Sequence, residues 1–202
     1  MAIWCTIRTF AAHAEELGNE LPKDVITFVK PMTCLNTDGR VRLSEHPGEM
    51  HFEIECVVRL DADLKVDAIA VGLDLTDRQA QTHLRAEGYP WARGKCFRNS
   101  ALIGNLSAWK QDVEAINSDS SALRLELRVN GELRQSANLS EMSIPIHHQI
   151  SRISAWAPLQ GSDFLFTGTP SGVGKLEVGD EMHAILVDGS GNVISEISAT
   201  CV

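Results

Sequence analysis

Residues 122–135 read ALRLELRVNGELRQ, with apolar positions at Leu123, Leu125, Leu127 and Val129 and the pair Asn130-Gly131 directly after them. Strict alternation puts successive side chains on opposite faces of a strand, and Asn-Gly between two such runs is the strongest short-range signal for a hairpin. A single hairpin is marginal in water, so this one needs further strands to cover its apolar face. The sequence offers them. Residues 2–10 (AIWCTIRTF), 25–31 (VITFVKP, stopped by Pro31), 50–60 (MHFEIECVVRL), 66–76 (VDAIAVGLDLT) and 162–170 (SDFLFTGTP) read as strands, and residues 177–202 hold two more around a Gly-rich turn. Helical spacing is confined to AAHAEELG (11–18), DRQAQTHLRAEG (77–88) and the segment after Pro145, where Ile146, Ile150 and Ile153 share a side. Strands and helices do not alternate regularly, which argues against a doubly wound parallel sheet. A β-rich α+β fold in one domain over residues 1–202 is expected.

The net charge of −9 argues against nucleic acid or an anionic membrane as partner, because polyanions need a basic footprint. A small anionic substrate needs only a few local cations and stays open. Five cysteines at wide spacings, with no C-x-x-C, read as reduced thiols in a cytoplasmic protein. The first ten residues do not read as a signal peptide, and no apolar run reaches the ~18 residues of a membrane-spanning helix.

The loop TGTPSGVGK (167–175) imitates a phosphate-binding loop and fails its requirements. Thr169 stands where the first glycine belongs, Leu176 where a magnesium-binding Ser or Thr belongs, and LEVGDEMHAILV continues as a turn and strand rather than a helix. The acids are more informative. His51, Glu53 and Glu55 fall on one face of a strand, which reads either as a solvated face or as part of a hard-cation site. Asp74 ends an apolar run, where a charge is costly unless paired or metal-bound; it or Thr76 is also placed to cap the following helix. His13 and Glu16, three apart on a helix, read as a solvated face or as an oriented base. Lys30 and Lys95, inside tight or apolar segments, read as snorkelling chains or as cations near an acidic substrate. His46, His147 and His148 read as surface histidines.

Taken in order, Arg8-Thr9-Phe10 with His13 and Glu16, Phe28-Val29-Lys30-Pro31, His51-Phe52-Glu53-Ile54-Glu55, Asp74-Leu75-Thr76 with Arg78 and Gln81, Pro90-Trp91 with Lys95 and Phe97, Val129-Asn130-Gly131-Glu132 with Arg134-Gln135, and Thr167-Gly168-Thr169-Pro170 with Gly172-Val173-Gly174 resemble the fumarylacetoacetate hydrolase family, in its short members. The resemblance implies a mixed β-sandwich or roll, usually a homodimer. It implies a divalent ion (Mg²⁺, with Mn²⁺ or Ca²⁺ as alternatives) on Glu53, Glu55 and Asp74, with Lys95 beside it. His13 and Glu16 would form a catalytic dyad on a lid helix, and Arg8, Lys30, Arg78, Gln81 and Thr169 would meet a small anionic 2-oxo acid. The implied reaction is hydrolysis of a carbon–carbon bond in a 2,4-dioxo acid such as fumarylpyruvate or acetylpyruvate. Its alternatives are oxaloacetate decarboxylation, hydration or isomerisation of an unsaturated 2-oxo acid, and metal-dependent ligand binding without catalysis.

Overall fold

The computed structural model describes residues 1–202. A seven-stranded sheet runs in the order β2 (Ile26–Lys30), β1 (Ile3–Ile7), β12 (Phe164–Phe166), β5 (Ile54–Leu60), β6 (Val66–Asp74) and β8 (Ala101–Ile103), with β9 (Ser107–Ala108) also on β6. A five-stranded sheet runs β11 (Glu132–Asn138), β10 (Arg124–Val129), β14 (Glu181–Val187), β15 (Val193–Cys201) and β3 (Arg40–Val41). Three short strands, β13 (Gly174–Lys175), β4 (Met50–Phe52) and β7 (Thr76–Asp77), form a third sheet. Pairing is antiparallel except for β1 with β12 and β15 with β3. The helices are α1 (Ala11–Glu16), α2 (Arg78–Ala86) and α3 (Ile146–Ser154). This is the β-rich α+β fold that the strand pattern predicts, with the mixed sheets that the family resemblance implies.

The alternation does its expected work. Cys56 and Val58 of β5 and Ile69, Val71 and Leu73 of β6 enter one core with Leu125, Leu127, Val129, Met182, Ala184 and Leu186 of the five-stranded sheet. Each such Leu or Ile side chain contributes roughly 1.5–3 kcal/mol by leaving water. The hairpin pairs Val129 with Glu132 across Asn130 (φ 52°) and Gly131 (φ 80°), the positive-φ pair that a two-residue turn requires.

Three local expectations are corrected. Residues 50–60 are not one strand: the chain breaks at Glu53, where β4 leaves for the small sheet and β5 joins β6. Helix α2 is capped by Asp77, which accepts from the Ala80 amide at 2.8 Å, and not by Asp74 or Thr76. His46 is no lone surface residue, since its Nε2 meets Asp77 Oδ2 at 2.8 Å and its ring lies 4.3 Å from that of Phe97. No helix is long and apolar enough to cross a membrane.

Candidate active site

The break at Glu53 is what builds the site. Glu53 sits at it, Glu55 is the second residue of β5, and Asp74 at the end of β6 is drawn alongside because its amide donates to the Glu53 carbonyl at 2.9 Å. All three acids are buried (5, 2 and 1% exposed), so the solvated-face reading of this strand does not hold. Carboxylate oxygens of the three lie within 4.8 Å of one another. His51, on the same face by periodicity, turns outward to Glu49 instead.

Charges of this density need partners. Lys95 Nζ donates at 2.7 Å to each of Glu53 Oε2, Asp74 Oδ2 and Thr76 Oγ1, which uses all three of its protons. Lys30, wholly buried, donates to the Ser100 carbonyl (2.7 Å) and hydroxyl (3.0 Å) and to the Leu75 carbonyl (3.2 Å). Its Nζ also stands 2.5 Å from Asp74 Oδ1, a charge contact whose angles leave that oxygen without a true hydrogen bond. Arg78 bonds Glu53 Oε1 at 2.5 Å and Gln81 Oε1 at 2.7 Å.

The two glutamates shift in opposite directions as a result. Burial would raise Glu53, but the charges of Lys95 and Arg78 overturn it and hold the carboxyl at about 2. Burial, then the charge of Asp74, push Glu55 well above its ordinary range; the donor it has is the Gly168 amide at 2.7 Å. Burial would lower Lys95, yet Asp74 and Glu53 raise it, so it is a fixed ammonium. The cysteines are free, and burial raises Cys5, Cys56, Cys96 and Cys201, which makes them poor nucleophiles. Three converging hard oxygen donors, one of them a buried carboxyl short of positive charge, fit a hard divalent cation such as Mg²⁺, Mn²⁺ or Ca²⁺.

Above the acids, α1 carries His13 and Glu16. His13 Nδ1 lies 3.0 Å from Glu16 Oε2. A carboxylate only accepts, so Nδ1 carries the proton and Nε2 is left as the basic nitrogen. The TGTPSGVGK loop serves both halves of the site through its glycines. Gly168 (φ +94°) gives its amide to Glu55, and Gly172 (φ +96°) gives its amide to Glu16 Oε1 at 3.0 Å. A side chain at either would strain the backbone and collide, at 2.1 Å from Thr9 Oγ1 or 2.2 Å from the Arg134 carbonyl.

These parts line a narrow cavity of about 40 Å³ that opens to solvent. Of the sequence-predicted residues, Arg8, His13, Glu53, Glu55, Arg78, Gln81, Lys95 and Thr169 line it. Glu16 stands behind His13, and Asp74 stands behind the wall between the two lysines. Lys30 is corrected from a substrate contact: it is buried behind Asp74 with its protons spent on fixed acceptors. Sequence reasoning missed Asn19 and Arg85 on the wall and gave no role to the motif residue Gln135, which donates to Thr169 Oγ1 (2.9 Å) and the Pro170 carbonyl (2.8 Å) and so ties the hairpin to the loop. Arg85 carried a usable signal: Arg78, Gln81 and Arg85 are spaced i, i+3, i+7 and share one face of α2.

The chain is similar to several known proteins. The chain is 32% identical over 197 residues to an oxaloacetate tautomerase of Escherichia coli, covering 92% of this chain and 87% of that one. It is 30% identical over 184 residues to a mitochondrial oxaloacetate decarboxylase of Dictyostelium discoideum, covering 85 and 82%. Its structure matches that of fumarylpyruvate hydrolase from Pseudomonas aeruginosa, solved in complex with Mn²⁺ and pyruvate, with a TM-score of 0.85 and 29% identity over 100% of this chain and 89% of that one. The family model for the fumarylacetoacetate hydrolase C-terminal region matches residues 2–198, and the chain belongs to that family.

Proposed function

We propose that this chain is a divalent-metal-dependent enzyme that moves a proton at C3 of a 2-oxo acid, with keto–enol interconversion of oxaloacetate as its reaction. The observation that carries the reading is one cavity lined by a carboxylate-held histidine and, facing it, by two of three clustered acids, with the third directly behind them. The named relatives that act on oxaloacetate support it.

When bound on Glu53, Glu55 and Asp74, a divalent ion supplies Lewis acidity that draws negative charge onto substrate oxygens. The protein does the rest. Arg78, Gln81 and Thr169 line the cavity and hold the 2-oxo acid end. His13 Nε2 accepts the C3 proton, and the ring, kept in one tautomer by Glu16, returns it to the 2-oxygen to give the enol; the reverse sequence restores the ketone. Lys95, its donors all spent, acts through its charge and by fixing Glu53 and Asp74. Loss of His13 lowers the rate by about 10²–10⁴.

A second reading is favoured by the likeness to the fumarylpyruvate hydrolase. In it the same dyad takes its proton from water, and the hydroxide cleaves the carbon–carbon bond of an acylpyruvate. Decarboxylation of oxaloacetate needs no attacking water and no dyad. One panel separates the three: oxaloacetate, acetylpyruvate and fumarylpyruvate, each with Mn²⁺, with Mg²⁺ and with EDTA, followed by enol absorbance and by pyruvate release. Metal-dependent loss of the oxaloacetate enol ahead of pyruvate release supports proton transfer. Pyruvate from the acylpyruvates alone would replace it with the hydrolase.

A further inference from the structure

Deeper in the site, Lys30, Lys95 and Arg78 are each paired with Asp74, Glu53 or both. Two guanidinium groups at the mouth are left over. Arg8 Nη2 donates to Asn19 Oδ1 at 2.7 Å, and Arg85 Nη2 donates to the same oxygen at 3.2 Å. Neither has a carboxylate partner; both line the cavity, and two cations converge on one neutral acceptor. Burial and then the nearby charge of Arg85 pull Arg8 below its ordinary value, the mark of cations facing each other without an anion between them. Arg8 also has φ 58°, a left-handed backbone that costs a non-glycine residue energy and persists where surrounding structure enforces it.

We propose that Arg8 and Arg85 form a subsite for a second carboxylate of the substrate, so that the enzyme selects 2-oxo dicarboxylates over 2-oxo monocarboxylates. The inference rests on the reading of the cavity as a 2-oxo acid site. Guanidinium forks match the planar, two-oxygen geometry of a carboxylate, and charge-assisted bonds of this kind are stronger than those to a neutral amide. Asn19 Oδ1 holds the anion's place in the free protein. Arg8 precedes the lid and Asn19 follows it, while Arg85 belongs to α2. A carboxylate bridging the two arginines therefore also fastens the lid over its own substrate.

Calorimetric binding of oxaloacetate and of pyruvate, with Mn²⁺ present, tests this. All proteins carry H13A so that oxaloacetate is not consumed, and R8Q, R85Q and R85K are added singly. The expected result is a loss of about 10- to 100-fold in oxaloacetate affinity for R8Q and R85Q, with pyruvate affinity held within about 2-fold. R85K should fall between, since it keeps the charge and loses the fork. Equal weakening of both ligands in R8Q and R85Q would make the pair a structural clamp and overturn the subsite, as would no change in either. If the parent protein binds neither 2-oxo acid, the reading of the cavity falls together with the subsite; if it binds both and the variants do not discriminate, only the subsite falls.

Discussion

At and behind the inner wall of the cavity Glu53, Glu55, Asp74, Lys30 and Lys95 are all buried, and at 2.5–2.7 Å the two ammonium groups hold Asp74 between them while Lys95 also holds Glu53. On the opposite wall α1 is six residues long, four of them exposed, with no side-chain N-cap. A helix this short has no stability of its own. It is pinned by the burial of Phe10 before it, by the bond from the Gly172 amide to Glu16, and by Arg8 on Asn19. The inner wall cannot rearrange without stripping charges of their partners, while α1 is held by one buried aromatic ring and a few bonds at or near the surface. Substitutions in the two walls should therefore fail in different ways.

The largest effect on stability is expected from K95M, which leaves Glu53 and Asp74 buried without their shared cation. It should cost about 3–5 kcal/mol in urea denaturation. H13A on the lid should leave the urea midpoint nearly unchanged and lower kcat by about 10²–10⁴. A large stability loss in H13A would erase the contrast between the walls.

E55Q sharpens the contrast from the other side. Folding raises the Glu55 carboxyl above its ordinary value, so the folded state holds that proton more tightly than the unfolded one. In metal-free protein the corresponding stability is present at low pH and lost as pH climbs through the raised value. The neutral amide should therefore make the EDTA-treated protein more stable at pH 7, by about 1–2 kcal/mol in thermal denaturation. The same variant should no longer gain stability from Mn²⁺, whereas the wild type should. The smallest effect is expected from G172A. Its Cβ meets the Arg134 carbonyl, displaces the loop and shifts the residue-172 amide away from Glu16. About 1 kcal/mol of stability and a several-fold drop in kcat should follow, visible as faster proteolysis near α1 with no change at β5.

Much of this was legible in the chain itself. The hairpin, the three helices and the two strands after residue 177 follow from alternation and turn chemistry, because those signals are local. The ordered motifs from Arg8 to Gly174 include eight of the residues that line the cavity. Periodicity gave Glu53 and Glu55 a common face but not its surroundings, since what covers a face is decided by strands far away in sequence. Lys30 was misread for the same reason: its partners Asp74 and Ser100 lie 44 and 70 residues on, and proximity to them is a property of the packed sheet. Arg85 was visible as a helical repeat of Arg78, yet its significance depends on Asn19 reaching it from the lid, 66 residues away.

The most direct test of a metal-holding inner wall served by a base on the lid is the decay of oxaloacetate enol absorbance with Mn²⁺ and with EDTA, for wild type and H13A. Rapid decay with Mn²⁺ that falls to the uncatalysed rate with EDTA, and by about 10²-fold or more in H13A, is the expected result. Decay that is unaffected by EDTA, or equally fast in H13A, would show that the acids and the dyad do not act together on this substrate.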